Sequence, residues 1–281
     1  MSVEEKVKDA LIKAGSSFSE GLKQKYREAI EKETQPNAKW VLEQLLENAA
    51  LAEKNGTPLC DDTGIPHLLL EIGKKRVVSG DLLAQIYSGI AEGLKALPGR
   101  PMSIEGDEIQ RLEQSGSLST DPAAVIPAPI QIRLVDEENT LRLHILLFGG
   151  GPSIRGKTYR VFHKNSIEEL KNEIVSWSGE AVRLLGCTPS TLAIGIGRSH
   201  YEATSLAVEA QIYGDYSVQS DIEDEITDRV NRFNVGALGL GGDISVLATF
   251  MKIGPQRASG VRIVSVHPCC CMEPRKASVD L

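Results

Sequence analysis

The sequence lacks any apolar run near the ~18 residues that a membrane span requires. Its first residues include the charged stretch at positions 4–6 and lack the apolar core of a secretion signal. We therefore expect a cytoplasmic protein that does not associate with membranes.

An excess of positive charge is also missing, because the 281 residues carry a formal net charge of -7. A nucleic-acid-binding surface is therefore not expected. A small anionic substrate is compatible with this charge, since local Arg and Lys can outweigh a mildly acidic whole. With 41% hydrophobic and 25% charged residues, the composition is that of a globular protein, and the length allows one large domain or two small ones.

Cysteine is scarce: the chain has five, an odd number, and no C-x-x-C pair. Without an export signal, this argues against a disulfide framework and against a local zinc structure. Cys60, Cys187 and the triplet Cys269-Cys270-Cys271 lie in three segments marked by Gly or Pro, which predict turns. Three dispersed thiolates would suit a [4Fe-4S] cluster with one open iron. The competing interpretation is that they are small buried residues of the core.

The first part of the chain, over about residues 1–100, shows the apolar spacing of helices. The predicted helices cover residues 3–14, 18–30, 37–55 and 81–97, and a short strand covers 67–72. Residues 100–124 have weak periodicity and predict a loop with about one helical turn.

Strands become frequent after about residue 125, where Ile, Leu and Val alternate with polar residues. A hairpin is predicted over residues 130–148, and three further strands are predicted after it. The later helices are predicted at 166–185, 202–213 and 220–233, and the later strands at 191–196, 244–253 and 261–266. The sequence thus predicts a single mixed α/β domain over residues 1–281, with N-terminal helices followed by a mixed sheet flanked by helices.

Three glycine-rich segments adjoin predicted strands, at residues 149–153, 195–199 and 239–243. Glycine lets the backbone approach a ligand closely and leaves N–H groups accessible. None of the three has the G-x-x-x-x-G-K-[ST] phosphate loop or the full G-x-G-x-x-G spacing. A nucleotide site is therefore not supported, and tight turns are the competing interpretation.

Polar residues flank the cysteine segments. Asp61, Asp62 and Thr63 follow Cys60, where a carboxylate beside a metal centre could orient water or take a proton. The alternative role for Asp62 is to cap a turn. His67 and His267 also lie near cysteines and are candidate acid–base groups, although a lone His is more often structural.

The cysteine segments resemble those of the class I, iron–sulfur fumarate hydratases and the related L-tartrate dehydratase alpha subunit. C-D-D-T-G at residues 60–64 is similar to the family's C-Q-D-T-G. G-C-T-P at 186–189 is similar to its G-C-P-P, and residues 271–275 fit its closing C-x-x-x-R.

The glycine segments extend the same resemblance. G-G-G at residues 149–151 resembles the family's K-G-G-G-S-E, and I-G-I-G at 194–197 is similar to G-V-G-I-G-G. Residues 236–242 resemble G-x-x-G-x-G-G. Because five motifs agree in order over nearly the whole chain, it is identified as a divergent member of this family, with a fold of the class I fumarase alpha-domain type.

The resemblance implies a hydro-lyase that reversibly dehydrates a small hydroxy-dicarboxylic acid of the fumarate/malate or tartrate type. It implies a [4Fe-4S] cluster held by Cys60, Cys187 and Cys271, with one iron open to the substrate. Cys271 is preferred because it alone in the triplet has an Arg four residues later, although Cys269 or Cys270 could replace it. The site residues that the resemblance implies are Asp62 and Thr63 as catalytic groups and Asp61, Arg100, Gly149, Gly150, Gly151 and Gly197 near the substrate.

The resemblance also implies partners. In the family, a second domain or a separate beta subunit supplies much of the substrate-binding and catalytic machinery. We therefore expect a beta subunit, a small dicarboxylate substrate, and a homodimer of alpha or an alpha2beta2 assembly.

Several positions depart from the family pattern. Asp61 replaces a Gln, residues 114–122 lack the asparagines of N-T-G-D-N-x-P, and Ser259 stands where a His is expected. These changes motivate one alternative, a non-catalytic or assembly paralogue that keeps the fold. A second alternative is zinc or another single metal ion bound by the triplet and His267, although four ligands so close in sequence are sterically awkward.

Overall fold

The computed structural model describes residues 1–97, 99–100 and 102–281. Its strands form two four-stranded sheets with helices around them, which confirms the predicted mixed α/β fold with N-terminal helices. The chain divides into two compact units. The first contains Met1–Phe18, Ala49–Gly149 and Arg275–Leu281, and the second contains Ser19–Asn48 and Gly150–Pro274. The single fumarase-type domain over residues 1–281 stays a prediction.

The first unit builds its sheet in the order β2-β1-β3-β8, in which only the β1–β2 pair is parallel. Its elements are α1 (Val3–Ser16), the end of α3 (Pro36–Asn55), β1 (Ile65–Gly73), α4 (Gly80–Ala96), α5 (Glu108–Glu113), β2 (Gln131–Val135), β3 (Leu141–Phe148) and β8 (Arg275–Asp280).

Glycine on α4 allows α1 to approach closely in this unit. A Cβ atom at Gly93 would lie 3.0 Å from Leu11, and one at Gly89 would lie 2.7 Å from the backbone oxygen of Glu4. Leu11 packs in one core cluster with Leu143 of β3. The helix pair therefore covers one face of the sheet with tightly packed side chains.

The second unit builds its sheet in the order β4-β7-β5-β6, in which only the β5–β6 pair is parallel. Its elements are α2 (Glu20–Lys32), the start of α3, α6 (Gly150–Arg155), β4 (Lys157–Phe162), α7 (Ile167–Leu185), β5 (Ser190–Gly197), α8 (His200–Tyr213), α9 (Asp221–Asn231), β6 (Val246–Ile253) and β7 (Val261–Cys269).

Strand β5 is buried along its whole length, as expected for a central strand covered on both faces. Helix α8 packs directly on it because two positions of β5 lack a side chain. A Cβ atom at Gly195 would lie 1.9 Å from the backbone oxygen of Ala203, and one at Gly197 would lie 2.8 Å from the backbone nitrogen of that residue.

The predicted hairpin over residues 130–148 is wrong. Its two strands, β2 and β3, both exist, but β1 lies between them and pairs with each. The polar segment after β2 suggested a tight turn, whereas the longer and more apolar β1 takes the central position of the sheet.

Other differences concern short or exposed elements. The triple glycine was predicted to be a loop, but Gly150 and Gly151 begin α6. Strands β4 and β8 were not predicted, because β4 exposes most of its residues and β8 is short and half-exposed. Strand β7 runs to Cys269, so this cysteine lies in a strand and the prediction of a turn at this position is wrong.

Within the described part of the chain, none of the helices combines the length and the apolar character that crossing a membrane demands.

Candidate active site

The first unit holds Cys60 in a turn that directly precedes β1. Asp61 Oδ1 accepts the N–H of Asp62 (2.9 Å) and lies 3.3 Å from Cys60 Sγ. Asp62 Oδ1 accepts the N–H of Gly64 (3.1 Å), so this carboxylate caps the turn as the alternative interpretation held. The side chains of Cys60 and Asp61 remain accessible at the surface of the turn.

Arg100 lies beside this turn. Its N–H donates to the backbone oxygen of Asp61 (2.8 Å), and its Nη2 lies 3.3 Å from Asp62 Oδ2. Its Nη1 lies 3.8 Å from Asp61 Oδ2, and the side chain is 55% exposed. The turn therefore presents an accessible guanidinium next to two carboxylates and a thiol.

Arg275 also contacts this turn, through its guanidinium group. It is 2% exposed, and its Nη1 donates to the backbone oxygen of Asp62. Gly64 has φ +84°, and a Cβ atom there would lie 2.7 Å from Arg275 Nη2 and 2.8 Å from the Phe148 oxygen. Because Gly149 follows Phe148, it lies next to the turn in this unit.

The pKa values of the Cys60 thiol and of the neighbouring Asp61 carboxylate are shifted in opposite directions. Burial raises the pKa of the Cys60 thiol, against the opposing effects of the Asp62 N–H and of Arg275. The contact with Cys60, followed by the bond from the Asp62 N–H, lowers the pKa of Asp61. Near neutral pH, Asp61 is therefore ionised, and a metal that binds Cys60 must displace the thiol proton.

The second unit joins Cys187 and Cys271 through the backbone. The N–H of Cys271 donates to the carbonyl of Cys187 (2.8 Å). The hydroxyl of Tyr26 donates to the carbonyl of Cys271 (2.6 Å). Tyr26 is fully buried, and burial raises its pKa well above the usual range, so it stays a neutral donor. These two bonds fix the backbone of Cys271 beside that of Cys187.

Thr188 ties the Cys187 segment to the glycine-rich loop. Its hydroxyl donates to the carbonyl of Gly236 (2.6 Å), and its own carbonyl accepts the N–H of Leu238 (3.1 Å). Thr188 is fully buried, so both bonds are shielded from water. The G-x-x-G-x-G-G segment therefore braces the turn that carries Cys187.

Glu33 fixes the far end of the same loop. Its carboxylate accepts the backbone N–H groups of Asp243 (2.9 Å), Ile244 (3.0 Å) and Gln35 (2.9 Å). It is 3% exposed, and these donors compensate the burial of its charge. Gly242 lies against this carboxylate, since a Cβ atom there would be 2.7 Å from Glu33 Oε2.

The three consecutive cysteines have different surroundings. Cys269 is fully buried, with its Sγ 3.4 Å from Gln211 Oε1, and the N–H of Cys270 donates to Glu273 Oε2 (3.3 Å). Ligand atoms of His267, Cys269 and Glu273 all lie within 4.8 Å of one another. Cys271 has the backbone bond to Cys187 described above.

The predicted site residues lie at four places in the structure. The turn in the first unit brings together Cys60, Asp61, Asp62, Thr63 and Arg100, with Gly149 adjacent. The second unit brings together Cys187 and Cys271.

The remaining predicted residues lie elsewhere in the second unit. Gly150 and Gly151 begin α6. Gly197 is the last residue of β5, and Ser190 is the first. At the usual rise per residue, Gly197 lies about 23 Å from Ser190, and Cys187 comes before Ser190 in the chain. Gly197 packs against α8, and its contact with a substrate stays a prediction.

Sequence reasoning did not identify Tyr26, Glu33 or Glu273. Tyr26 and Glu33 lie far along the chain from the cysteines that they support, and no local pattern marks them. Glu273 lies within the C-x-x-x-R motif, and the alternation His267-Pro268-Cys269 could have indicated two ligands on one face of a strand.

Comparison with known proteins identifies relatives that match most of this chain. A family profile described as Fumarate hydratase (Fumerase) matches residues 4–280. The putative L(+)-tartrate dehydratase subunit alpha of Methanocaldococcus jannaschii is 27% identical over 268 residues, which cover 90% of this chain and 89% of that protein. The L(+)-tartrate dehydratase subunit alpha of Escherichia coli K12 is 20% identical over 251 residues, 87% of this chain and 80% of that protein. The chain therefore belongs to the fumarate hydratase (Fumerase) family and is a hydro-lyase.

Proposed function

We propose that this chain is the alpha component of an iron–sulfur hydro-lyase that reversibly dehydrates a small hydroxy-dicarboxylic acid of the fumarate/malate or tartrate type. The observation that carries the proposal is the Cys60 turn, which places a thiol, two carboxylates and an accessible guanidinium together. The names of the two relatives support tartrate as the first substrate to test.

The proposed cofactor is a [4Fe-4S] cluster bound by Cys60, Cys187 and Cys271. Thiolates are the usual ligands of such clusters. The bond from the Cys271 N–H to the Cys187 carbonyl supports Cys271, rather than its two neighbours, as the third ligand. When bound through three protein thiolates, the cluster supplies a Lewis-acidic iron for a substrate oxygen.

Arg100 is the proposed carboxylate-binding residue. Its guanidinium has five N–H donors, and the contacts with Asp61 and Asp62 at 3.8 and 3.3 Å leave several of them available. A planar guanidinium can bind a carboxylate through two parallel hydrogen bonds. Asp61 and Asp62 would orient this side chain toward an incoming dicarboxylate.

Asp62 and Thr63 have proposed roles in shaping the reacting centre. Asp62 directs one carboxylate oxygen to the turn and the other to Arg100, so it couples the turn to the substrate-binding group. Thr63 is 5% exposed and packs close to Gly99, where a Cβ atom would lie 2.5 Å from its methyl group. Asp61, more exposed and ionised, is placed to orient water or accept a proton.

A beta subunit is the proposed partner, and an alpha homodimer or an alpha2beta2 complex is the proposed assembly. Both relatives are named as alpha subunits, which supports the need for a second component. We expect little turnover from the alpha chain alone and substantial turnover after reconstitution with its beta subunit.

The test is anaerobic quantification of iron and sulfide in the wild type and in Cys60→Ser, Cys187→Ser and Cys271→Ser. We expect about four irons and four sulfides per wild-type chain, and loss of most of both in each variant. Cys270→Ser is the matched control, because it changes a neighbouring thiol of the same triplet and should retain the cluster.

Turnover is then measured with tartrate, malate and fumarate on the reconstituted complex. Full iron content in any one of the three variants would remove that cysteine from the ligand set. A loaded complex that turns over none of the three acids would instead favour a non-catalytic paralogue that keeps the fold.

A further inference from the structure

We propose that His267, Cys269 and Glu273 form a second metal site, which binds one divalent transition-metal ion and is separate from the proposed cluster ligands. Imidazole, thiolate and carboxylate are all ligands that Zn²⁺ accepts in proteins. None of the three residues belongs to the set Cys60, Cys187 and Cys271. The site is therefore an addition to the proposed cofactor and can be tested independently of it.

Strand β7 supplies two of the ligands. His267 and Cys269 are two positions apart in this strand, so their side chains lie on the same face of the sheet. Their partners on β5 are Ala193 for His267 and Thr191 for Cys269, and both partners are small residues. His267 is 8% exposed and Cys269 is fully buried, so the strand holds both ligands away from bulk water.

The turn after β7 supplies the third ligand. The N–H of Glu273 donates to the carbonyl of Cys270 (2.9 Å), which closes the turn. The N–H of Cys270 donates to Glu273 Oε2 (3.3 Å), which folds the carboxylate back toward the strand. Glu273 Oε2 thereby lies 3.5 Å from Nε2 of His267, and Glu273 is only 1% exposed.

The three ligand atoms are close enough for a single ion. They all lie within 4.8 Å of one another. Tetrahedral coordination at the usual zinc distances of about 2.0–2.3 Å places ligand atoms about 3.3–3.8 Å apart. Small side-chain rotations would close this difference, and the backbone of the strand and turn could stay in place.

Gln211 of α8 contacts one of the three ligands, Cys269, and is a candidate fourth ligand. It is 1% exposed, and its Oε1 lies 3.4 Å from Cys269 Sγ. Either this amide oxygen or a water molecule could take the fourth position.

The ligand types favour Zn²⁺, and they also suit Co²⁺ as a spectroscopic replacement. Because the ligands are buried, the metal would enter as the chain folds. The experiment therefore produces the full-length chain in zinc-supplemented medium, and separately refolds it anaerobically with Co²⁺. A Cys60→Ser/Cys187→Ser/Cys271→Ser chain removes the proposed cluster ligands and isolates the second site.

We expect this triple variant to retain about one zinc per chain and to bind one Co²⁺ with a thiolate-to-cobalt charge-transfer band. Cys269→Ser should abolish the band, while His267→Gln and Glu273→Gln should each weaken Co²⁺ binding at least about tenfold. Cys270→Ser and His144→Gln are matched controls that should leave binding unchanged. His144 is a buried histidine beside a glutamate in the first unit.

A folded triple variant, with wild-type-like circular dichroism, that binds no zinc or Co²⁺ would overturn the proposal. Binding that survives the substitutions at 267, 269 and 273 would overturn it as well. If the triple variant fails to fold, zinc content is compared in the single variants of the anaerobically purified chain. Loss of zinc with unchanged iron in His267→Gln would then support the site, and unchanged zinc would exclude it. Iron loss in Cys60→Ser with zinc retained separates this result from the test of the cluster.

Discussion

Both units bury a histidine beside a glutamate, but the two pairs are built differently. In the first unit, Nε2 of His144 lies 3.3 Å from Glu71 Oε2, while Nδ1 lies 2.7 Å from the hydroxyl of Ser278. In the second unit, ligand atoms of His267, Glu273 and a thiol lie within 4.8 Å of one another. The imidazole of His144 thus contacts one partner through each ring nitrogen. In the second unit, by contrast, the ligand atoms of all three residues lie close to one another. Only a convergent arrangement can hold one ion.

The cysteine segments of the two units are also held by different kinds of contact. Charged side chains hold the Cys60 turn, with Arg275 beneath it and Arg100 beside it. Backbone hydrogen bonds and neutral hydroxyls hold Cys187 and Cys271. The first arrangement suits binding of an anionic substrate, and the second suits rigid support of a ligand. The predictions below test whether this division is real.

The largest expected effect is on stability, from Gly64→Ala in the first unit. The added methyl group would meet the Phe148 backbone at 2.8 Å, and the residue has a positive φ. Left-handed strain and overpacking together should lower the free energy of unfolding by about 2–5 kcal/mol. Gly56→Ala is the control: its φ is +63° but it has open space around it, so about 1–2 kcal/mol is expected. Urea unfolding measures both, and equal losses would contradict the tight packing of the turn.

Arg100→Gln should impair substrate binding with little effect on stability. The side chain is 55% exposed, and the Asp62 carboxylate keeps its bond from the Gly64 N–H after the substitution, so the effect on stability should be small. Loss of a charged hydrogen bond to a substrate carboxylate costs about 1.5–3 kcal/mol, which corresponds to a KM about 10–150-fold higher. Steady-state kinetics of the reconstituted complex measure this. Arg111→Gln, an exposed arginine of α5, is the control. An unchanged KM would remove Arg100 from the site.

Tyr26→Phe should act on the second unit and on cluster retention. It leaves the buried carbonyl of Cys271 without the hydroxyl that donates to it, which costs about 1–3 kcal/mol of unfolding free energy. Iron content should fall or become more sensitive to chelators, while the Cys60 turn keeps its structure. Tyr87→Phe, which removes a hydroxyl from a partly exposed tyrosine of α4, provides the comparison. Normal stability and iron content in Tyr26→Phe would show that the hydroxyl does not position Cys271.

The smallest effect concerns the pH dependence of stability. Burial lowers the pKa of His144 below its usual 6.5, against the raising effect of Glu71. Below about pH 6.5 the unfolded chain therefore binds a proton that the folded chain does not, so stability falls as pH decreases from that value. His144→Gln should flatten the slope between about pH 6.5 and 5 in urea titrations. An unchanged slope would mean that His144 titrates equally in the folded and unfolded chains.

The sequence predicted the fold class and most long elements because their apolar spacing is strong. Helix α7 over Ile167–Leu185 and strand β5 are examples, and both bury most of their apolar side chains. The order of strands could not be predicted, since the insertion of β1 between β2 and β3 depends on contacts far apart in sequence. Edge strands β4 and β8 were missed because exposed residues carry little apolar pattern.

The candidate site was predicted where chemistry lies in one segment, as in residues 60–63. Arg100 was predicted only from its place after a helix, and the structure sets it beside the turn. The supports from Tyr26 and Glu33 could not be predicted, because each joins residues separated by more than 150 positions. Gly197 was predicted to lie near the substrate because it belongs to a glycine motif. In the structure its lack of a side chain allows helix α8 to pack on the end of β5.

The carboxylate of Glu33 has a consequence for how this chain can diverge. A glutamine at this position would have a single acceptor oxygen and would direct an amide N–H₂ group toward backbone donors. A related chain that loses this carboxylate would need a changed backbone in the segment after Gly242. We therefore expect a substitution at position 33 to occur together with substitutions in that segment.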